Sequence, residues 1–84
     1  MNILFTPRAW DDYLHWQTYN KQILKKINIL IKECTRDSYN GIGKPEGLKG
    51  ELSGWWSRRI DSEHRLVYQV SEDELIIMSC RYHY

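Results

Sequence analysis

The residues Ser79 to Tyr84, SCRYHY, gather an arginine, a histidine and two tyrosines at a carboxyl terminus, where chains ordinarily fray and folding asks for no such groups. Each can meet a phosphate or stack on a base. Upstream they have company in WSRRI (Trp56 to Ile60), EHRLVY (Glu63 to Tyr68) and the glycine-rich KPEGLKG (Lys44 to Gly50). If DSE and SED are three-residue turns between strands, Arg59 stands directly opposite Arg65. Like charges facing each other across a sheet are destabilising unless something negative lies between them. A slip by one residue gives no relief, because it sets Arg58 opposite Arg65 and Arg59 opposite His64. The conflict points to an anion site, with His83 on the same face and the loop able to lower Glu46 and Lys49 over it.

Phosphate suits such a site, because guanidinium forks match its oxygens and aromatic rings beside it can stack bases. A carboxylate and a histidine add a catalytic option. RNA cleavage without a metal needs a base for the ribose 2′-hydroxyl proton, cations for the pentavalent phosphate and an acid for the leaving oxygen. Glu46, then Arg65 with Arg59 and Lys49, and then His83 could fill those roles, the acid and the base each contributing about 10²- to 10⁴-fold. Ordinary readings stand beside these. Arg58 and Arg59 could be solvated strand charges paired with Asp61 and Glu63, worth about 0 to 1 kcal/mol per pair; the cross-strand conflict weighs against that for Arg59. Glu46 could be a plain polar loop residue. His15 reads as helix surface and His64 as a strand-edge residue, since neither has metal-ligand spacing.

The elements that must position these groups follow from periodicity. Asn2 to Phe5 is a short apolar run ending at Thr6-Pro7, a helix cap followed by a proline that wastes no amide in the first turn. Trp10, Tyr13 and Leu14 recur at helical spacing from Arg8 to Tyr19, and Asn20 offers a break and a new cap. Lys21 to Ser38 continues as a helix with Ile23, Ile27, Leu30, Ile31 and Cys34 as its apolar stripe, so the two helices form an antiparallel hairpin. Tyr39 to Gly50 holds four glycines and a proline, and is expected to carry neither helix nor strand. Loops of that length in small domains are commonly functional.

Trp55 to Ile60, His64 to Val70 and Glu74 to Tyr82 read as strands. The assumed turns put Trp56, Leu66, Tyr68, Ile76, Met78, Cys80 and Tyr82 on one face, toward the helices. The other face receives Ser57, Arg59, Arg65, Gln69, Ser79, Arg81 and His83. Trp10 and Trp56 are expected in the core, with Trp55 open.

Eighty-four residues make one domain, 1–84, in a size range where burial is only just sufficient. Cys34 and Cys80 are far apart, lack C-x-x-C spacing and sit in apolar stretches, as reduced cytoplasmic thiols would. No segment approaches a membrane span, and MNILF is too short for a signal peptide's apolar region, so a cytoplasmic protein without membrane contact is expected. With 12 Lys and Arg against 11 Asp and Glu, the chain is not a generally basic nucleic-acid binder, and any such site must be local.

GIGKPEGLKGELSGWWSRRI, EHRLVY and CRYHY together closely resemble the YoeB family of toxins within the RelE superfamily, and DDYLHW and KKINILIK extend the resemblance over nearly the whole chain. The resemblance implies an α+β fold, RelE-like and related to microbial ribonucleases, with an N-terminal strand and a helix hairpin packed on a twisted antiparallel sheet. It implies a metal-independent endoribonuclease, needing no cofactor, that cuts mRNA in the ribosomal A site and so blocks translation. It assigns the general base to Glu46, phosphate stabilisation to Arg65, the general acid to His83, and supporting contacts to Lys49, Arg59 and Tyr84. It also implies a YefM-like antitoxin whose carboxyl-terminal segment covers the site, a homodimer, and operator DNA bound only through the antitoxin. Departures from the family pattern lie at RDSYN and at Gly50 and Glu51, where they bear on ribosome contacts or antitoxin fit more than on catalysis. The rival readings are a non-catalytic RNA-binding module and a corepressor acting through its partner; no helix-turn-helix signal supports direct operator binding.

Overall fold

The computed structural model describes all 84 residues. Strand β1 (Asn2–Phe5) leads into helices α1 (Pro7–Tyr19) and α2 (Lys21–Arg36). After a long connection come β2 (Glu46–Gly47), a 3₁₀ turn (Gly50–Leu52), β3 (Trp56–Arg59), β4 (Arg65–Ser71) and β5 (Glu74–Ser79). The sheet order is β1-β5-β4-β3-β2, antiparallel throughout except that β1 joins β5 in parallel. The expected α+β architecture therefore holds, on a five-stranded mixed sheet.

The helix hairpin is built as its caps dictate. The Thr6 hydroxyl accepts the Ala9 amide at 3.1 Å and donates to the Met78 carbonyl at 2.8 Å, which ties the start of α1 to β5. Asn20 Oδ1 accepts from the amides of Gln22 and Ile23, satisfying two orphan donors at the start of α2 and fixing the tight joint. Ile27, Leu30, Ile31 and Cys34 form the buried stripe of α2 and meet Leu66, Tyr68, Leu75 and Ile77 of the sheet. Each fully buried aliphatic side chain contributes about 1.5–3 kcal/mol.

In α1 the inward residues are Ala9 and Trp16, with Tyr13 partly buried, whereas Trp10 is 48% exposed. This corrects the core assignment of Trp10: the stripe facing the sheet runs through 9, 13 and 16, one residue away from the one through Trp10. Trp10 instead stacks on Tyr13 at 5.8 Å and meets Phe5 edge-on. Trp16 is the tryptophan of the core, and its indole N–H donates to the Cys80 carbonyl at 2.9 Å.

The β3–β4 register is the expected one, with Arg59 opposite Arg65. The β4–β5 register is not. Only Glu72 and Asp73 form the turn, with Glu72 in the left-handed region at φ 53°, so Val70 pairs with Leu75 and Tyr68 with Ile77. Leu75 and Ile77 therefore enter the core in place of Ile76 and Met78. A bulge opposite Val67 and Tyr68 then absorbs one residue, Met78, and restores the alternation, so that Ser79 pairs with Val67 while Cys80 turns inward. β5 stops at Ser79 and not at Tyr82, which adopts φ 64° and is half exposed.

Both cysteines are free and buried. Burial pushes the Cys80 thiol up to about 12, with the nearby Asp12 carboxylate adding to the effect, and it also raises Cys34.

Candidate active site

The connection from α2 to β3 is ordered by Arg58. Its side chain is fully buried, which corrects the reading of a solvated strand charge. It donates to the carbonyls of Ile42 at 2.8 Å, Asp37 at 2.5 Å and Asn40 at 2.9 Å, and to the Tyr68 hydroxyl at 3.2 Å. Tyr68 in turn donates to the Ser38 carbonyl at 2.6 Å, and burial pushes its phenol up to about 12 against the pull of Arg58. Gly43 completes the anchor: its carbonyl accepts the Arg59 amide at 2.6 Å. At φ 83°, a Cβ on Gly43 would sit 2.9 Å from Leu30 Cδ2 and 3.0 Å from Arg58 Cβ. Held this way, the loop delivers Glu46 and Gly47 as a short edge strand opposite Ser57 and Trp56, followed by the 3₁₀ turn. The expectation of no regular structure in Tyr39–Gly50 is corrected accordingly, because main-chain pairing to β3 replaces what local propensity withholds.

Arg65 is almost fully buried, and its Nη1 donates to the carbonyls of Asp61 at 2.8 Å and His64 at 3.0 Å. Main-chain acceptors thus hold one edge of the guanidinium and fix its charge in place. The Asp61 turn is itself tight. Partial burial would raise the Asp61 carboxyl, but the amides of His64 and Glu63 bonded to Oδ1 more than offset this and hold it below its ordinary range.

Arg59, Arg65, Glu46, His83 and Tyr84 line one polar cavity of about 350 Å³, together with Lys44, Pro45 and Ser57. Glu46 and His83 are exposed at its rim while Arg65 is sunk in its wall. The Tyr84 hydroxyl reaches Glu46 Oε1 at 3.4 Å, and the His83 and Tyr84 rings lie 5.5 Å apart. Lys49 is elsewhere: with Leu48 and Leu52 it lines a second, more apolar cavity of about 510 Å³ that shares Glu46 and Tyr84 as the dividing wall. Lys44 and Ser57 are members the sequence reading did not single out. Ser57 carried a usable signal, since the strand alternation already placed it beside Arg59. No three His, Cys, Asp or Glu side chains come together as a metal-ligand set.

Three cations around one cavity, with a carboxylate and an imidazole at its rim, make an anion pocket equipped for proton transfer. A family model described as "YoeB-like toxin of bacterial type II toxin-antitoxin system" matches residues 5–84. The chain belongs to the YoeB family of type II toxins. Toxin YoeB of Synechocystis sp. is 58% identical over 84 residues, covering 100% of this chain and 98% of that one. Among solved structures, a YoeB dimer from Staphylococcus aureus superposes with a TM-score of 0.94 at 50% identity, covering 100% of this chain and 98% of the other. A YoeB–YefM complex from the same organism gives 0.92 at 52% identity with the same coverage. The YoeB assignment agrees with the sequence resemblance, and no helix of the chain is long and apolar enough to cross a membrane.

Proposed function

We propose that this toxin is a metal-independent endoribonuclease that cleaves mRNA in the ribosomal A site. The observation that carries the reading is the pairing of a main-chain-locked, buried Arg65 with Arg59 across one cavity whose rim holds both Glu46 and His83. A scissile phosphate lodged between the two guanidiniums removes the like-charge conflict, and the pentavalent transition state, carrying more negative charge, is held more strongly still. Ionised Glu46 takes the proton from the ribose 2′-hydroxyl, and the 2′-oxygen forms a bond to phosphorus. The bond to the 5′-oxygen breaks as protonated His83 donates to it. The products are a 2′,3′-cyclic phosphate and a 5′-hydroxyl end.

Tyr84, bonded to Glu46, supports the base and offers a ring for stacking. Lys49 contributes charge from the adjoining cavity, where it meets a neighbouring nucleotide. The ribosome and mRNA are the proposed targets. A YefM-like antitoxin is the proposed inhibitor, its acidic carboxyl-terminal segment replacing phosphate over Arg59 and Arg65. The YoeB–YefM complex of the S. aureus relative supports that partner, and the relative's dimer supports a homodimer. Operator DNA would be reached only through the antitoxin. The test is incubation of a defined mRNA with purified protein in excess chelator, with and without programmed ribosomes. Cyclic-phosphate ends, lost with Glu46→Ala and with His83→Ala, are expected; RNA bound but intact under every condition would leave a recognition surface in place of an enzyme.

A further inference from the structure

His64 reads from sequence as a strand-edge residue, yet it is only 7% exposed and sits beneath the carboxyl-terminal tail. Its Nδ1 accepts the Tyr82 amide at 2.7 Å, while the Tyr82 carbonyl accepts the Arg65 amide at 3.0 Å. Beyond the end of β5, these two bonds hold Tyr82 on both sides of its α-carbon. They hold it in a left-handed conformation, φ 64°, which a tyrosine rarely adopts unless its surroundings impose it. The next residue is His83. A turn that reverses at Tyr82 determines where His83 and Tyr84 go, and both line the arginine cavity.

We propose that His64 is a positioning residue for the tail: its unprotonated Nδ1 captures the Tyr82 amide and thereby aims His83 at the scissile phosphate. The catalytic half of this proposal rests on the ribonuclease reading above; the capture of the tail does not. An imidazole that accepts at Nδ1 carries its proton at Nε2, on the side where Glu63 Oε1 lies 3.6 Å away. Protonation of Nδ1 would turn two donors toward each other and release Tyr82. The charged and titratable groups beside the ring are Glu63 and Asp61 from the β3–β4 turn, Arg65 next along β4, and Tyr82 from the tail, its ring 5.6 Å away. From α1 only the neutral Trp16 ring packs on it, edge-on at 4.8 Å. Arg81 lies over the Tyr82 ring at 4.6 Å and near Trp16 at 6.0 Å, and the Trp16 indole holds the Cys80 carbonyl, so α1 holds the tail at Cys80 and Arg81 while His64 holds it at Tyr82.

Two variants of the full-length protein separate positioning from bulk structure. In His64→Asn the side-chain oxygen can stand where Nδ1 stood, does not titrate and still accepts; His64→Phe keeps the ring and removes the acceptor. Nitrogen-15 NMR of the wild type should show His64 as the Nε2–H tautomer at neutral pH, and the Tyr82 amide should be protected from exchange. The protection should persist in His64→Asn and vanish in His64→Phe. In the cleavage assay His64→Phe should lose about ten- to a hundredfold in kcat, the scale of one orphaned buried donor, with KM nearly unchanged. His64→Asn, which keeps an acceptor at the same place, should recover most of the rate. An Nδ1–H tautomer, a Tyr82 amide equally protected in His64→Phe, or Asn and Phe variants that are folded and equally impaired would each overturn the proposal. Should the wild type prove unable to cleave RNA, the tautomer and exchange readouts still decide whether His64 holds the tail, and only the ribonuclease reading falls.

Discussion

Replacing Arg58 tests the claim that a buried cation organises the loop carrying Glu46. Its guanidinium spreads four hydrogen bonds over Asp37, Asn40, Ile42 and Tyr68, acceptors too far apart for the converging donors of a lysine ammonium to reach together. If Arg58→Lys forfeits one or two of them at about 1.5 kcal/mol per charge-donated bond, the loss is about 1.5–3 kcal/mol. A buried charge can often be exchanged for an apolar residue at little cost, because its own desolvation penalty disappears as well. Here three of the four acceptors are backbone carbonyls, which no substitution at position 58 removes, and they would be left unpaired. Arg58→Met is therefore expected to cost about 3 kcal/mol or more despite filling the volume, a large share of the ~4–13 kcal/mol that a domain of this length has. Urea denaturation reads this out directly. With an m-value of about 1–1.5 kcal/mol/M, the midpoint should fall by about 1–3 M in Arg58→Lys and by at least about 2 M in Arg58→Met. Midpoints within about 0.3 M of wild type in both variants would refute the argument, since the carbonyls would then be satisfied without the arginine.

Gly43→Ala should destabilise by more than ~1 kcal/mol, because the added methyl meets Leu30 and Arg58 in a backbone conformation unsuited to alanine; thermal unfolding checks it. Alkaline stability follows from the raised Cys80 thiol: above its ordinary value of 9.0 the unfolded chain loses a proton that the folded chain keeps up to about 12. Folding stability should then fall between pH 9 and 12 by up to ~1.4 kcal/mol per pH unit from this group, and Cys80→Ala should flatten the slope. The Tyr68 phenol, ordinarily at 10.0 and raised to about 12, acts with the same sign from pH 10. Arg59→Glu should weaken binding of an acidic antitoxin-derived peptide at least tenfold while leaving the thermal midpoint within a few degrees, as calorimetric titration would record.

Local signals revealed most of what positions the site. Thr6-Pro7 and Asn20 marked the helix starts because capping is a short-range device, and Arg59 against Arg65 followed from one turn length and strand alternation. The β4–β5 register is not legible in the sequence because Glu72 adopts a left-handed conformation without a glycine to announce it, and because the bulge at Met78, further along β5, compensates for the exchange of faces. That compensation is why Ser79 still falls on the expected face. The role of Arg58 could not be seen from the sequence, since its partners are main-chain carbonyls 16 to 21 residues away and carry no side-chain signature. His64 escaped for the same reason: the group it holds is the amide of Tyr82. Lys49 lies one cavity away from its expected place, beside the 3₁₀ turn Gly50–Leu52, for which the sequence carries no local signal.

The division of labour between Glu46 and His83 is tested most directly with an RNA whose scissile 5′-oxygen is replaced by sulfur. A thiolate leaves without needing a proton, so the general acid becomes dispensable while the base does not. In single-turnover cleavage, His83→Ala should be slowed about 10²- to 10⁴-fold on the ordinary substrate and restored to near the wild-type rate on the sulfur substrate, with Glu46→Ala slow on both. If His83→Ala stays equally slow on the sulfur substrate, or if Glu46→Ala is the variant that is rescued, His83 is not the acid and the assignment of the two roles is wrong.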